Sequence, residues 1–148
     1  MDHIEIIDRL TTAIEHIVNR EIEQAAEEMA EIGKNSTISQ MYGVCRALGE
    51  MGRQFLALIY GPQPPDGWFG IVPLPGCDLL NDPARAFSIR FVVAASNSDF
   101  DTCQALYHAA VQAGDEEYSR SVDMLLFGIG DLARAVMDIK AATTGESE

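Results

Sequence analysis

Two glutamates interrupt an apolar helical stripe. Between Ile4 and Ile32, residues Ile7, Leu10, Ile14, Val18, Ile22, Ala25, Met29 and Ile32 recur in steps of three and four, the spacing of one face of an α-helix. Glu21 and Glu28 project beside Ile14 and Ile17, not onto the outer face. A carboxylate in that position needs a cationic partner or a raised pKa. Arg46 and Arg53 stand two turns apart on one flank of the next stripe. In an antiparallel hairpin turning near residue 35, facing positions i and j keep a nearly constant sum. Glu28 with Arg46 and Glu21 with Arg53 both give 74. The spacing therefore predicts two interhelical ion pairs that set the register.

These carboxylates do not suggest a metal centre. A ferritin-like site needs Glu-x-x-His on two helices, and the chain has no such pair. Glu28-x-x-Glu31 resembles the acidic motif of the all-α nucleotide pyrophosphatases. That resemblance implies a second acidic pair on the next helix, where this chain has Glu50 with Arg53. No metal and no cofactor is expected.

Catalytic constellations are equally sparse. His3 and His16 fall at the start and on the outer face of the first helix. His108 lies two turns from Asp101 and one from Gln104, a pairing that would orient a general base. No serine or cysteine shares that face. Cys45 and Cys103 sit inside apolar stripes and read as small core residues, and Cys77 has no neighbouring cation to activate it. CxxC, a glycine-rich phosphate loop and a nucleophile elbow are all missing from the chain. The expected protein is not an enzyme.

The segment 61–82 has a different texture. All six prolines lie between Gly61 and Pro83, with glycines 61, 67, 70 and 76, so no regular helix crosses it. It also carries the only tryptophan, Trp68, with Phe69, Ile71, Val72, Leu74 and Leu79. A loop this long and apolar is expected to plug an open end of the bundle or to serve as an aromatic platform for a partner or a small apolar ligand. Trp68-Phe69-Gly70 resembles the Trp-x-Gly turn of the small secreted helical-hairpin family over those three residues. The accompanying Tyr-x-x-x-Asp/Glu is missing, since Tyr118 has Val122 at that position.

The elements that must position these residues read as about five helices in one all-α domain spanning 1–148. An N-terminal antiparallel hairpin occupies 1–60, the Pro/Gly-rich loop 61–82, three helices 83–142 and a frayed polar tail 143–148. Gly33 stops the first helix, and Thr37 with Gln40 has the form of a capping box for the second, whose stripe runs Ile38, Met41, Cys45, Leu48, Gly52, Phe55, Leu56, Ile59. Asp82 before Pro83 starts a third helix that is apolar nearly all round, so it is central or lies at an interface. Ser98 with Asp101 is expected to cap the fourth. Asp115, just after Gly114, caps the fifth, with the stripe Tyr118, Val122, Leu125, Ile129, Leu132, Val136.

Charge narrows the partners. With 10 basic and 23 acidic residues the formal net charge is −13, which disfavours binding to nucleic acid or an anionic membrane. Residues 1–33 hold nine acids and two bases, and Glu5, Asp8, Glu23, Glu27 and Glu31 share the outer face. That face is expected to bind a basic partner protein, in the limit as a mimic of nucleic acid. Phe127 projects opposite the core stripe among Arg120, Asp123, Asp131, Arg134 and Asp138, with Met124 to one side, and these two are expected to anchor a homodimer. The first ten residues carry Asp2, Glu5, Asp8 and Arg9 in place of a secretory apolar run. Three cysteines close no disulfide framework. The expected location is cytoplasmic.

Overall fold

A computed structural model of the chain describes residues 2–67 and 81–146. Six helices and no strand occur among the described residues: α1 His3–Val18, α2 Ile22–Lys34, α3 Ile38–Tyr60, α4 Pro83–Ser96, α5 Phe100–Gln112 and α6 Asp115–Glu146. No helix among them is long and apolar enough to cross a membrane.

The sixth helix arises because the stripe over Ile4–Ile32 hides a reversal. The Arg20 N–H bonds to the Ile17 carbonyl at 2.9 Å, and the Glu21 N–H reaches back to His16 at 2.7 Å. Arg20 itself adopts φ +64°. This paired 5→2 and 6→1 closure is a Schellman motif. A glycine would ordinarily mark it; here an arginine takes the left-handed position. The apolar spacing survives the turn because both arms bury the same core, so periodicity alone reads as one helix. The antiparallel hairpin is therefore α1 with α2, whereas α3 packs on α4 and α6.

The same closure ends α4. Ser98 has φ +57°, and the Ser98 and Asp99 N–H groups bond Ala95 and Ala94 at 3.1 and 2.8 Å. Ser98 is thus the C-terminal stop of α4, not the cap of α5. That cap is Asp99, whose carboxylate accepts from the Thr102 N–H at 3.3 Å and its hydroxyl at 2.6 Å. Asp115 likewise is not a cap but the first residue of α6: the Tyr118 N–H bonds the Gly114 carbonyl at 2.8 Å, so Gly114 holds the cap position. The remaining start signals hold as read. Thr37 and Gln40 exchange reciprocal bonds of 2.8 and 3.1 Å. Asp82 accepts from the Ala84 N–H at 3.1 Å with Pro83 opening α4. Gly114, at φ +103°, separates α5 from α6. The polar tail does not fray at residue 143: α6 continues to Glu146, and the Thr143 hydroxyl donates to the Ile139 carbonyl at 3.0 Å.

The long α6 is the spine, packing on α1, α3, α4 and α5. Its Val122, Leu125, Leu126, Ile129 and Ala133 meet Leu10, Ile14 and Ile17 of α1, Leu48 of α3, and Phe87 and Phe91 of α4 in one core. Two glycines let the helices close up. A Cβ on Gly130 would stand 2.4 Å from Cγ2 of Ile17, and one on Gly49 would stand 2.7 Å from Cβ of Ala95. The near-uniform apolarity of α4 fits its central place between α3, α5 and α6.

Candidate functional site

A cavity of about 350 Å³ lies among α2, α3 and α6. Its walls are apolar on three sides, with Met29 and Ala30 from α2, Met41 from α3 and Val122 from α6, and Gly33 adds no side chain to fill it. The polar lining is Lys34, Tyr118, Ser119 and Asp123. Asp123 follows buried Val122 on α6 and so sits at the edge of the core stripe, half-buried. Burial pushes its carboxyl up to about 6, because the charged form loses water and gains no counter-ion in return. The Tyr118 wall is fixed. Its hydroxyl lies 2.8 Å from that of Tyr107, which donates to the Ile38 carbonyl at 2.6 Å.

A second concavity of about 420 Å³ opens where α1, α3 and α6 end. Ile14, Val18, Phe55, Leu58, Val136 and Met137 form its apolar lining, with Glu15, Asn19 and Lys140 as the polar members. Leu58 is 60% exposed and Met137 53% exposed. From Met137 to Thr144 every side chain of α6 is exposed, so its last turns stand clear of the bundle.

The predicted ion pairs are not formed. Glu28 accepts from Arg9 at 3.1 Å and Glu21 lies 3.2 Å from Nδ1 of His16. The antiparallel rule still applies, but around the turn at Arg20: 9 with 28 and 16 with 21 share the sum 37. Arg53 pairs within its own helix, donating two hydrogen bonds to Glu50 and holding that carboxyl below its usual range. Arg46 forms no salt bridge among the described residues; its guanidinium lies 3.7 Å from the Phe100 ring centroid and 5.9 Å from that of Tyr42, a cation–π arrangement.

The partner-binding residues divide. Glu23 and Glu27 are exposed on α2, whereas Glu31 is half-buried and accepts from the Asn35 side chain at 3.0 Å. With α2 folded back on α1, Glu5 and Asp8 belong to a different helix from Glu23, Glu27 and Glu31, so the acids do not run along one rod. Trp68, Phe69 and Cys77 lie outside the described residues. Phe127 is half-buried and packed against the core, not projecting free of it as helical spacing suggests; Met124 is half-buried too.

Cys45 and Cys103 are buried, and burial pushes the Cys45 thiol up to about 12. Such a thiol is not a nucleophile near neutral pH. His108 is exposed. Among the described residues no three His, Cys, Asp or Glu side chains converge on a point that would hold a metal ion. Asp123, read from sequence as one charge on an outer face, is the site residue that spacing missed. Its adjacency to Val122 was the available signal. Comparison with known protein families, curated proteins and solved structures finds no match.

Proposed function

We propose that this chain is a non-enzymatic, acidic interaction protein that acts as a homodimer and presents its α1–α2 hairpin to a basic partner protein. The observation that carries the reading is the exposed apolar groove of Leu58 and Met137 at the end of the bundle, since exposed apolar surface of this kind is typical of contact sites. The occupant it fits best is a second copy. Two chains of charge −13 repel over most of their surfaces, yet the groove carries one acid, Glu15, and one base, Lys140. In a two-fold pairing every contact is made twice, so a register that sets Glu15 of one copy against Lys140 of the other gains two ion pairs.

Sedimentation equilibrium tests the dimer. Leu58→Glu and Met137→Glu are expected to yield monomers with unchanged helical circular dichroism. Glu15→Lys should weaken association, and adding Lys140→Glu to it should restore association. A wild-type chain that stays monomeric at every concentration overturns this reading.

The partner choice rests on Glu5, Asp8, Glu23 and Glu27, which are exposed and take part in none of the ion pairs of the hairpin. The immobilised chain is expected to retain a basic protein from a matched lysate at low salt and to release it at high salt. Glu23→Gln with Glu27→Gln should reduce the yield.

A further inference from the structure

We infer that the cavity among α2, α3 and α6 is a binding site for a small organic monocation, an alkylammonium, whose charge pairs with Asp123 and whose hydrocarbon body rests on Met29, Met41 and Val122. This site is separate from the dimer groove and does not depend on it.

Pairing of acids across the fold is what singles out Asp123. Six acidic side chains are half-buried among the described residues: Glu21, Glu28, Glu31, Asp82, Glu117 and Asp123. Five have a partner. Glu28 has Arg9, Glu21 has His16, Glu31 has Asn35, and Asp82 and Glu117 share Arg120. Among the described residues Asp123 has no hydrogen bond and no ion pair, and it lines the cavity among α2, α3 and α6. A desolvated carboxylate left unpaired is costly, and a cation bound in the cavity supplies the missing partner.

The rest of the lining sets the class of ligand. A volume of about 350 Å³ falls at the small end of ligand sites. Methionine walls adapt to an alkyl body without demanding one shape. An anion would meet the Asp123 charge, and a neutral apolar guest would bury that carboxylate further without pairing it. The other titratable groups facing the cavity are Lys34, at the last turn of α2, and Tyr118 of α6; α3 contributes Met41, which carries no charge. Lys34 is exposed and forms no ion pair with Asp123. Its ammonium disfavours a dication, which leaves a monocation as the fit.

The test is a titration of the ¹⁵N-labelled full chain with n-butylammonium, and in parallel with its neutral counterpart 1-butanol, read from amide shifts at Gly33, Ser119 and Asp123. The expected result is saturable binding of the ammonium above pH 6 and about tenfold weaker binding one unit below the carboxyl's titration point. Asp123→Asn, which keeps shape and removes charge, should abolish the ammonium response with amide dispersion intact. Lys34→Gln should tighten binding by removing the competing cation. Equal response to the alcohol, an unchanged response in Asp123→Asn, or no saturation with the ammonium would each overturn the proposal.

Discussion

The Tyr118 hydroxyl donates to that of Tyr107 across 2.8 Å, a direction set by Tyr107 having spent its own proton on the Ile38 carbonyl at 2.6 Å. Burial pushes both phenols upward from their ordinary range, so neither ionises near neutral pH. The relay joins α6 and α5 to the first turn of α3, and the Tyr42 ring, 5.3 Å from that of Tyr107, closes the cluster. It also holds one wall of the Asp123 cavity in place.

Removing the two hydroxyls should not cost the same. Tyr107→Phe strands the Tyr118 hydroxyl and removes the tie to the Ile38 carbonyl, which keeps its bond within α3, and is expected to lower stability by about 1–2 kcal/mol. Tyr118→Phe leaves the Tyr107–Ile38 bond intact and should cost less. Because the bonds are in series, the double variant should fall short of the sum. Urea denaturation of the three variants decides the matter, and additive losses would contradict the relay.

Asp123 makes stability depend on pH in a definite direction. Its carboxyl titrates near 3.8 when unfolded and about 6 when folded, so the folded chain holds the proton more tightly. Stability from this group is complete below 3.8 and is lost as pH rises to about 6. The half-buried carboxyl keeps part of its hydration, so the penalty above 6 is about 1–2 kcal/mol. Asp123→Asn should match the wild type at low pH and exceed it by that amount at neutral pH. Thermal melts across the range would show parallel curves if the group were fully solvated.

Arg20 and Ser98 hold left-handed conformations that favour glycine. Arg20→Gly and Ser98→Gly are each expected to stabilise the fold by about 0.5–1 kcal/mol. Arg20 is exposed and makes no ion pair among the described residues that its removal would break. A loss of stability in either variant would mean that the turn is held by something other than its backbone closure.

Two glycine-to-alanine changes inside helices should differ in sign. Gly43 has open space around an added Cβ, so Gly43→Ala is expected to gain about 0.5–1 kcal/mol of helix propensity. At Gly130 the same Cβ would stand 2.4–2.7 Å from three Ile17 atoms, and the clash should outweigh the gain and separate α1 from α6. Chemical denaturation of the pair tests the packing of α1 on the spine.

Several features were settled within a few residues of chain. The steps of three and four, the Thr37–Gln40 box, Asp82 before Pro83, and Gly114 are interactions between neighbours no more than one helical turn apart, so they are legible in one dimension. The all-helical class and most of the core, including Cys45 and Cys103, follow from them. Tertiary structure decided where the first stripe folds back, because a left-handed arginine leaves no glycine signal and both arms of the turn bury the same core. That turn then chose the ion pairs: the facing-position rule was sound, but its centre moved from residue 35 to the turn at Arg20, giving Glu28 to Arg9 and Arg46 to Phe100. Asp123 belongs with these. Spacing places it at the rim of the α6 stripe, but whether a rim residue meets water, a cation or a cavity depends on how three helices converge, and that geometry is set by packing across the whole chain.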